Sequence, residues 1–459
     1  MGSRFLRDAS RSPKIAGPEA AESGHFAGSM KTSRDMVTAV LASLSMTAGF
    51  AGGVYDSVPI RENERHLIES SHELEAYFAN LSMLYENEPV VSLVRGMGNE
   101  LRPEPTDDYI EYEFFVLRDP SPNAFALPNG HVYIHTGMLA RLEDEAQLAG
   151  LIAHELSHVA GHHGIVHNRA AKGRSIAAMV LGGLGGWGSL ISVGLQASVF
   201  GFSRELEQEA DNHAAVMLFN SRYDPQVLPE VFDILAEDYE GLYPRTPSIW
   251  STHPEIRARA QTSRALVRDM PSRERDVEVF ELAVFPLRLV TVRDYIQDDY
   301  PHTAVALAES LVARYPNEPQ LLHLLGDAWQ AMGAQSALDA GELSDAAKRR
   351  NQRERILRTR EQREAELLET PEGQAAFAEN LGRAEVRYRD ALALNPEFAV
   401  AYRGLGEVYE RLGRARAAAE AYLRYVQLEP EAADRRIIIN RLRSLTEQIK
   451  KEENVDEDA

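Results

Sequence analysis

The stretch EDEAQLAGLIAHELSH, residues 143–158, determines how the rest of the chain is interpreted. Its apolar residues recur at helical spacing and predict a largely buried helix. Within it, His154, Glu155 and His158 form the pattern H-E-x-x-H. Two histidines four apart project from one helix face about 6 Å apart, so both rings can reach one tetrahedral zinc ion. Glu155 lies about 100° around the helix axis from His154. It can therefore take the proton of a zinc-bound water that attacks a peptide carbonyl.

The third metal ligand is not fixed by this motif. The extended pattern H-E-x-x-H-x-x-G-x-x-H needs a histidine at position 164, where the chain has Gly164, and His163 misses by one residue. A second stretch, SRELEQEAD at 203–211, offers carboxylates instead. Glu207 and Asp211 are four apart and share a helix face. One of them can therefore bind zinc while the other accepts the remaining N–H of a zinc histidine.

Composition excludes several classes of protein. A formal net charge of -21 opposes binding to nucleic acid, which requires clustered Lys and Arg. The chain has no cysteine, which excludes disulfides, thiolate zinc sites and a cysteine nucleophile. Any metal must therefore be held by histidine and carboxylate. A length of 459 residues predicts two or three domains.

Two segments bear on the location of the protein. Residues 1–51 read as an N-terminal extension followed by a signal peptide beginning near Met30, with an apolar stretch at 36–46 and a small-x-small cleavage signal at 49–51. This predicts secretion to a periplasm, and the alternative is a loose amphipathic helix. Residues 175–202 have no charged side chain and seven glycines, so they are either a buried hairpin or an element in peripheral contact with a membrane.

The remaining pattern predicts an α+β fold. One or two amphipathic helices are expected over about 60–100, and strands over 109–117 and 130–135. Residues 52–285 are thus interpreted as a mostly helical, zincin-type catalytic domain with a small β-sheet. Residues 286–449 are interpreted as an all-α domain of tetratricopeptide-like repeats, because Tyr388 and Pro396 recur as Tyr422 and Pro430 at the 34-residue period of that repeat.

The repeat domain has two further features. A degenerate earlier unit covers 303–333, and a charged insertion at about 334–379 leaves the number of repeats open. Residues 450–459 form a charged tail.

Three motifs in order carry a family resemblance: NAFALPNG at 123–130, His154 to His158, and SRELEQEAD at 203–211. They resemble the HtpX and CAAX prenyl endopeptidase family of gluzincin metallopeptidases, and most of all its periplasmic members with C-terminal tetratricopeptide repeats. The resemblance implies that Glu207 is the third zinc ligand, which leaves Asp211 in the second shell. It also implies that His253, in Thr252-His253-Pro254, is a regulatory group or a fourth ligand. Finally, it implies that the strand His131, Val132, Tyr133, Ile134 and His135 is the sheet edge that receives substrate.

The expected function is that of a zinc endopeptidase with one Zn²⁺ per chain. Its expected substrates are unfolded or misassembled envelope proteins, recruited by the repeats, which could also bind outer-membrane assembly machinery. Two alternatives stay open. One is a chaperone or assembly scaffold with a latent protease, and the other is a membrane-integrated zinc peptidase.

Overall fold

The computed structural model of the chain describes residues 59–105, 107–171, 202–237, 253, 255–338 and 360–457. It confirms the predicted α+β class, with many helices and one small sheet. The predicted leader at 1–51, nearly all of the 175–202 segment and the middle of the charged insertion lie outside the described residues. Among the described helices, none combines the length and the apolar character needed to cross a membrane.

Among the described residues, the N-terminal part contains three strands, nine α-helices and a short 3-10 helix at Glu62–Glu64. The strands are β1 (Glu113–Leu117), β2 (Ala124–Ala126) and β3 (His131–His135). The helices are α1 (His66–Asn80), α2 (Glu88–Leu101), α3 (Thr136–Leu139), α4 (Glu145–Ala160), α5 (His163–Ala171), α6 (Arg204–Asn220), α7 (Val227–Glu237), α8 (Ile256–Val267) and α9 (Glu278–Gln297).

The strand order is β1-β3-β2, with β1 parallel and β2 antiparallel to β3. The prediction that His131–His135 is the edge strand is therefore wrong, because β3 is paired on both sides. The edge next to α4 is β2, a strand too short to show an alternating pattern. Residues 123 and 127 form backbone hydrogen bonds with β3. In an antiparallel pair the backbone groups of successive residues point alternately toward and away from the partner strand. The backbone N–H and C=O groups of Ala124 and Ala126 therefore point away from β3.

The sheet has a different layer on each face. Val132 and Ile134 of β3 belong to the main hydrophobic core, together with residues of α2 and α4. Tyr133 points the other way and packs with Leu74 and Phe78 of α1. Helix α1 and helix α4 therefore cover opposite faces of the same sheet.

Helix α4 is buried along its whole length. It begins after Asp144, whose side chain accepts a hydrogen bond from the backbone N–H of Gln147 at 2.8 Å. It ends at Ala160, and His162 then takes a left-handed φ of 54° that turns the chain into α5. A helix buried on every side places its polar residues in the protein interior, where they need partners.

Helix α9 joins two hydrophobic cores. Its first half, with Phe280 and Leu287, belongs to the core that contains the sheet, whereas Leu289 and Tyr295 belong to a second core. Between them the buried Arg288 guanidinium donates to the carbonyls of residues 140 and 142 at 3.2 and 2.8 Å. The predicted domain boundary at 285/286 falls inside this helix.

The second core is built by helical hairpins. They comprise α10 (Pro301–Arg314), α11 (Pro319–Met332), α12 (Arg360–Leu368), α13 (Pro371–Leu394), α14 (Ala399–Arg411), α15 (Ala415–Leu428) and α16 (Arg435–Glu457). The Tyr388 ring packs where Gly326 and Gly404 leave no side chain, and the Tyr422 ring packs in the same way on Gly406. This recurrence agrees with a helical repeat, although the number and type of repeat remain predictions.

Candidate metal centre

Four buried side chains converge between α4, α6 and the chain just before α8. They are His154, His158, Glu207 and His253, and one ligand atom from each lies within 4.8 Å of all the others. The Nε2 atoms of His154 and His158 are 3.1 Å apart. Glu207 offers one oxygen to each histidine, at 3.6 and 3.5 Å from those Nε2 atoms. The first ring is brought beside the second by the four-residue spacing on α4.

This geometry fits a metal ion. Ligands about 2.0 to 2.1 Å from a tetrahedral ion are separated from one another by about 3.3 to 3.4 Å, close to the separations observed here. One oxygen of Glu207, Oε1, is buried and has no hydrogen-bond partner among the described residues. Two imidazole nitrogens that face each other beside a carboxylate form a donor set suited to a divalent cation.

Asp211 holds the ring of His154. Its Oδ1 lies 3.1 Å from His154 Nδ1, which favours a proton on Nδ1 and leaves Nε2 free as a donor atom. Arg259 on α8 donates to both oxygens of Asp211, at 2.9 and 2.6 Å, and also forms an ion pair with Glu207. The Cζ atom of Arg259 lies 4.4 Å from the centre of the Phe232 ring. The guanidinium is therefore held both by this ring and by the carboxylates of Asp211 and Glu207.

A different set of groups holds the ring of His158. His163 Nδ1 lies 2.9 Å from His158 Nδ1, and its other nitrogen faces Glu209 at 3.7 Å. The ring of Phe202 stacks on His158 with the centroids 4.1 Å apart. His163, a rival third ligand from sequence, thus faces the back of the His158 ring and lies outside the four-residue cluster.

Glu155 is buried beside the cluster, and neither of its carboxylate oxygens has a hydrogen-bond partner among the described residues. Its nearest charged neighbour is His253, whose Nε2 is 3.6 Å from Glu155 Oε1. Burial raises the pKa of Glu155 above its usual range. A carboxylate with a raised pKa accepts a proton more readily than an exposed carboxylate does.

The electrostatics differ among the donors. Burial lowers the pKa of His158 well below its usual range, and the proximity of other basic groups adds to the effect. For Glu207, burial acts to raise the pKa, but the charges of His253 and Arg259 outweigh it and the pKa is lowered. A neutral imidazole and an ionised carboxylate are the forms that bind a metal.

His253 lies inside the cluster. Its Nδ1 is 3.3 Å from His154 Nε2 and 3.2 Å from Glu207 Oε2, and the residue is 3% exposed. Burial alone would lower its pKa, yet the charge of Glu207 raises it. The His253 ring lies between the carboxylates of Glu155 and Glu207. Thr252 and Pro254 lie outside the described residues.

The structure therefore brings together all the residues predicted as ligands, base and second shell. Sequence reasoning assigned no role to Arg259 or to Glu209. Arg259 follows the predicted His-Pro motif, but its link to Asp211 depends on how α8 packs against α6. No local spacing could have indicated that contact.

The fold and the H-E-x-x-H cluster define a domain of the metallopeptidase class. Residues 101–267 match peptidase family M48, and the chain carries an M48 domain over that range. This confirms the family resemblance, since the described cluster and both motif helices lie within the match.

Curated relatives agree with this assignment. The chain is 28% identical over 198 residues to the beta-barrel assembly-enhancing protease of Escherichia coli (strain K12), covering 40% of each chain. It is 32% identical over 155 residues to the mitochondrial metalloendopeptidase OMA1 of Schizosaccharomyces pombe, covering 33% of this chain and 45% of the relative. It is 27% identical over 178 residues to the metalloprotease YcaL of Escherichia coli, covering 38% and 66%. The chain thus spans less than half the length of the first two relatives.

Proposed function

We propose that this protein is a zinc-dependent endopeptidase that cleaves unfolded or misassembled envelope proteins. The observation that carries the proposal is the convergence of His154, His158 and Glu207 beside the unpartnered, buried carboxylate of Glu155. Zinc is favoured among divalent metals because two imidazoles and one carboxylate are its usual donors in catalytic sites of this kind.

When bound, the ion would polarise a peptide carbonyl and make a water molecule nucleophilic near neutral pH. Glu155 would accept the proton of that water and deliver it to the leaving amine. Asp211 would keep His154 in the tautomer whose Nε2 faces the ion, and Arg259 would balance the charge of Asp211 and Glu207.

The proposed substrates are extended segments of polypeptide. Strand β2 turns the backbone groups of Ala126 and the carbonyl of Ala124 toward its outer side, where a peptide could add as a further strand. Ala126 and His158 line the same small cavity, so such a peptide would pass close to the metal. Recognition through the backbone requires a flexible segment and favours unfolded proteins over compact ones.

The proposed cellular setting is the periplasm. The helices after α9 would recruit clients or an outer-membrane assembly partner, and the segment near Met30 would direct the chain to the periplasm. The name of the similar beta-barrel assembly-enhancing protease supports this setting, and that name describes the activity of the relative. Contact with a membrane through 175–202 is part of the same proposal.

Two substitutions test the chemistry. Glu155→Gln should keep the metal and lower casein cleavage by about 10²- to 10⁴-fold, the range for loss of a general base. Glu207→Gln should lose both metal and cleavage. Glu205→Gln is the matched control, because this exposed residue lies two positions earlier on α6 and is not a member of the cluster. Zinc content is measured by elemental analysis on the same samples.

Two results would contradict the assignment. Full zinc content in Glu207→Gln would mean that the third ligand is wrong, and His253, the remaining member of the cluster, would be tested next. Wild-type protein that binds no metal and cleaves nothing would favour the scaffold alternative. That alternative also gains if Glu155→Gln retains the cellular role of the wild type.

A further inference from the structure

A second group of metal-ligating side chains lies on the face of the sheet that α1 covers. It consists of His72 and Glu75 on α1 and His131 on β3, and one ligand atom from each lies within 4.8 Å of the others. Because α1 and α4 cover opposite faces of the sheet, this group is separate from the cluster around His154. We refer to it as the α1 cluster.

The α1 cluster has the geometry of a partly formed chelate. His72 and Glu75 are three apart on a helix, so their side chains point the same way, with His72 Nδ1 4.0 Å from Glu75 Oε2. Across the interface, His131 Nδ1 lies 3.3 Å from the same oxygen. The His72 and His131 rings are 5.7 Å apart and edge-on, compared with 5.1 Å between His154 and His253.

The environment of His131 also indicates that a ligand binds here. The residue is 4% exposed, and its buried Nδ1 faces Glu75 but has no hydrogen-bond partner in the part of the chain that the structure describes. Burial lowers the pKa of His131 to about 4, with a smaller contribution from His72, so the ring is neutral near pH 7. An unsatisfied imidazole nitrogen in the interior costs free energy unless something binds it.

The surroundings of the α1 cluster hold the buried ring in place and leave one side open. Phe115 packs against the His131 ring with the centroids 5.4 Å apart. The His72 side chain is 54% exposed and can rotate toward the ion without disturbing the core. Glu113, the register partner of His131 on β1, adds acidic character next to the cluster.

We propose that His72, Glu75 and His131 bind a second divalent transition-metal ion, zinc by donor type, in a site that clips α1 to the sheet. Two imidazoles and one carboxylate select zinc-like ions over calcium or magnesium, which prefer oxygen ligands. The fourth position would be taken by water, since His72 lies at the surface. This ion would hold α1 in place, and the peptidase chemistry would not use it.

The test is metal stoichiometry on the full chain. Protein is stripped with a chelator, reloaded with zinc, separated from free metal and analysed for zinc per chain. The wild type should hold two ions, and His72→Ala should hold one. Because His72 is exposed, this variant should fold as the wild type does and should retain cleavage of casein.

Two further variants make the result specific. Glu75→Gln should lose the same ion as His72→Ala, whereas Glu73→Gln, an exposed residue of the same helix, should keep both. Zinc should also raise the melting temperature of the wild type more than that of His72→Ala. Equal zinc content in the wild type and both cluster variants would overturn the proposal.

Loss of zinc from the α1 cluster can be distinguished from loss of zinc at the cluster around His154. If the cluster around His154 bound no metal, every variant of the α1 cluster and the wild type would lose the same ion. The difference between the wild type and His72→Ala therefore reports only on the α1 cluster.

Discussion

Replacing His253 by alanine should accelerate peptide cleavage. The imidazole lies 3.3 Å from His154 Nε2 and 3.6 Å from the carboxylate of Glu155, in the space that a water or a substrate carbonyl must enter. We propose that this ring blocks the site, so that substrate reacts only after the ring moves away. Alanine leaves the other three donors and the base unchanged.

The size of the effect follows from the contact that must break. His253 Nδ1 is 3.2 Å from Glu207 Oε2, and a hydrogen bond to a charged group contributes about 1.5 to 3 kcal/mol. If that contact sets the closed-to-open equilibrium, the open form is populated at about 0.6 to 7%. The His253→Ala variant should then cleave about 10- to 150-fold faster than the wild type.

The assay is the initial rate of cleavage of fluorescently labelled casein at matched zinc occupancy. His66→Ala, an exposed histidine on α1, controls for the loss of a histidine elsewhere. A rate equal to or below that of the wild type, with zinc content unchanged, would refute the reasoning. Loss of zinc in His253→Ala would show that the ring is an obligatory ligand, which also contradicts a removable block.

Three further results are expected. Asp211→Asn should weaken zinc binding by about 10- to 100-fold, measured by competition with a chelating dye, because the histidine that it orients loses its anionic partner. Gly404→Ala should lower the free energy of unfolding in urea by about 1 to 3 kcal/mol, because the methyl group would meet a tyrosine ring. Gly382→Ala, where no such neighbour exists, should not. Hydrogen bonds from Arg169 lower the pKa of Glu64 to about 2, so this pair stabilises the fold above about pH 4.5 and loses that contribution as the pH falls toward 2. Glu64→Gln should reduce the loss of thermal stability over that range.

The sequence predicted the centre of the site because its residues lie at fixed spacings on single helices. His154 and His158 are four apart, as are Glu207 and Asp211, and a helix converts that spacing into one face. The contact between Arg259 and Asp211 joins residues 48 positions apart. Nothing near either residue indicates it, so it could not be predicted.

The error about the substrate edge has a related cause. The alternating pattern indicated that residues 131–135 form a strand, and they do. Whether a strand is central or at an edge depends on pairing with distant segments, here β1 and the three-residue β2. A strand of three residues inside a segment rich in proline and asparagine carries almost no local pattern.

Helix α9 has a consequence for how the protein can be divided. Cleavage of the chain at 285/286 would remove Leu287 and Arg288 from the part that contains the metal centre, together with the contacts from Arg288 to the carbonyls of 140 and 142. The excised N-terminal fragment would then expose apolar surface and leave buried carbonyls without donors. A fragment ending after Gln297 would keep the whole helix and is the shorter unit that can be expected to fold alone. The peptidase part and the C-terminal helices therefore share one helix, so a cut after Gln297 that keeps the peptidase part whole takes Leu289 and Tyr295 away from the second core.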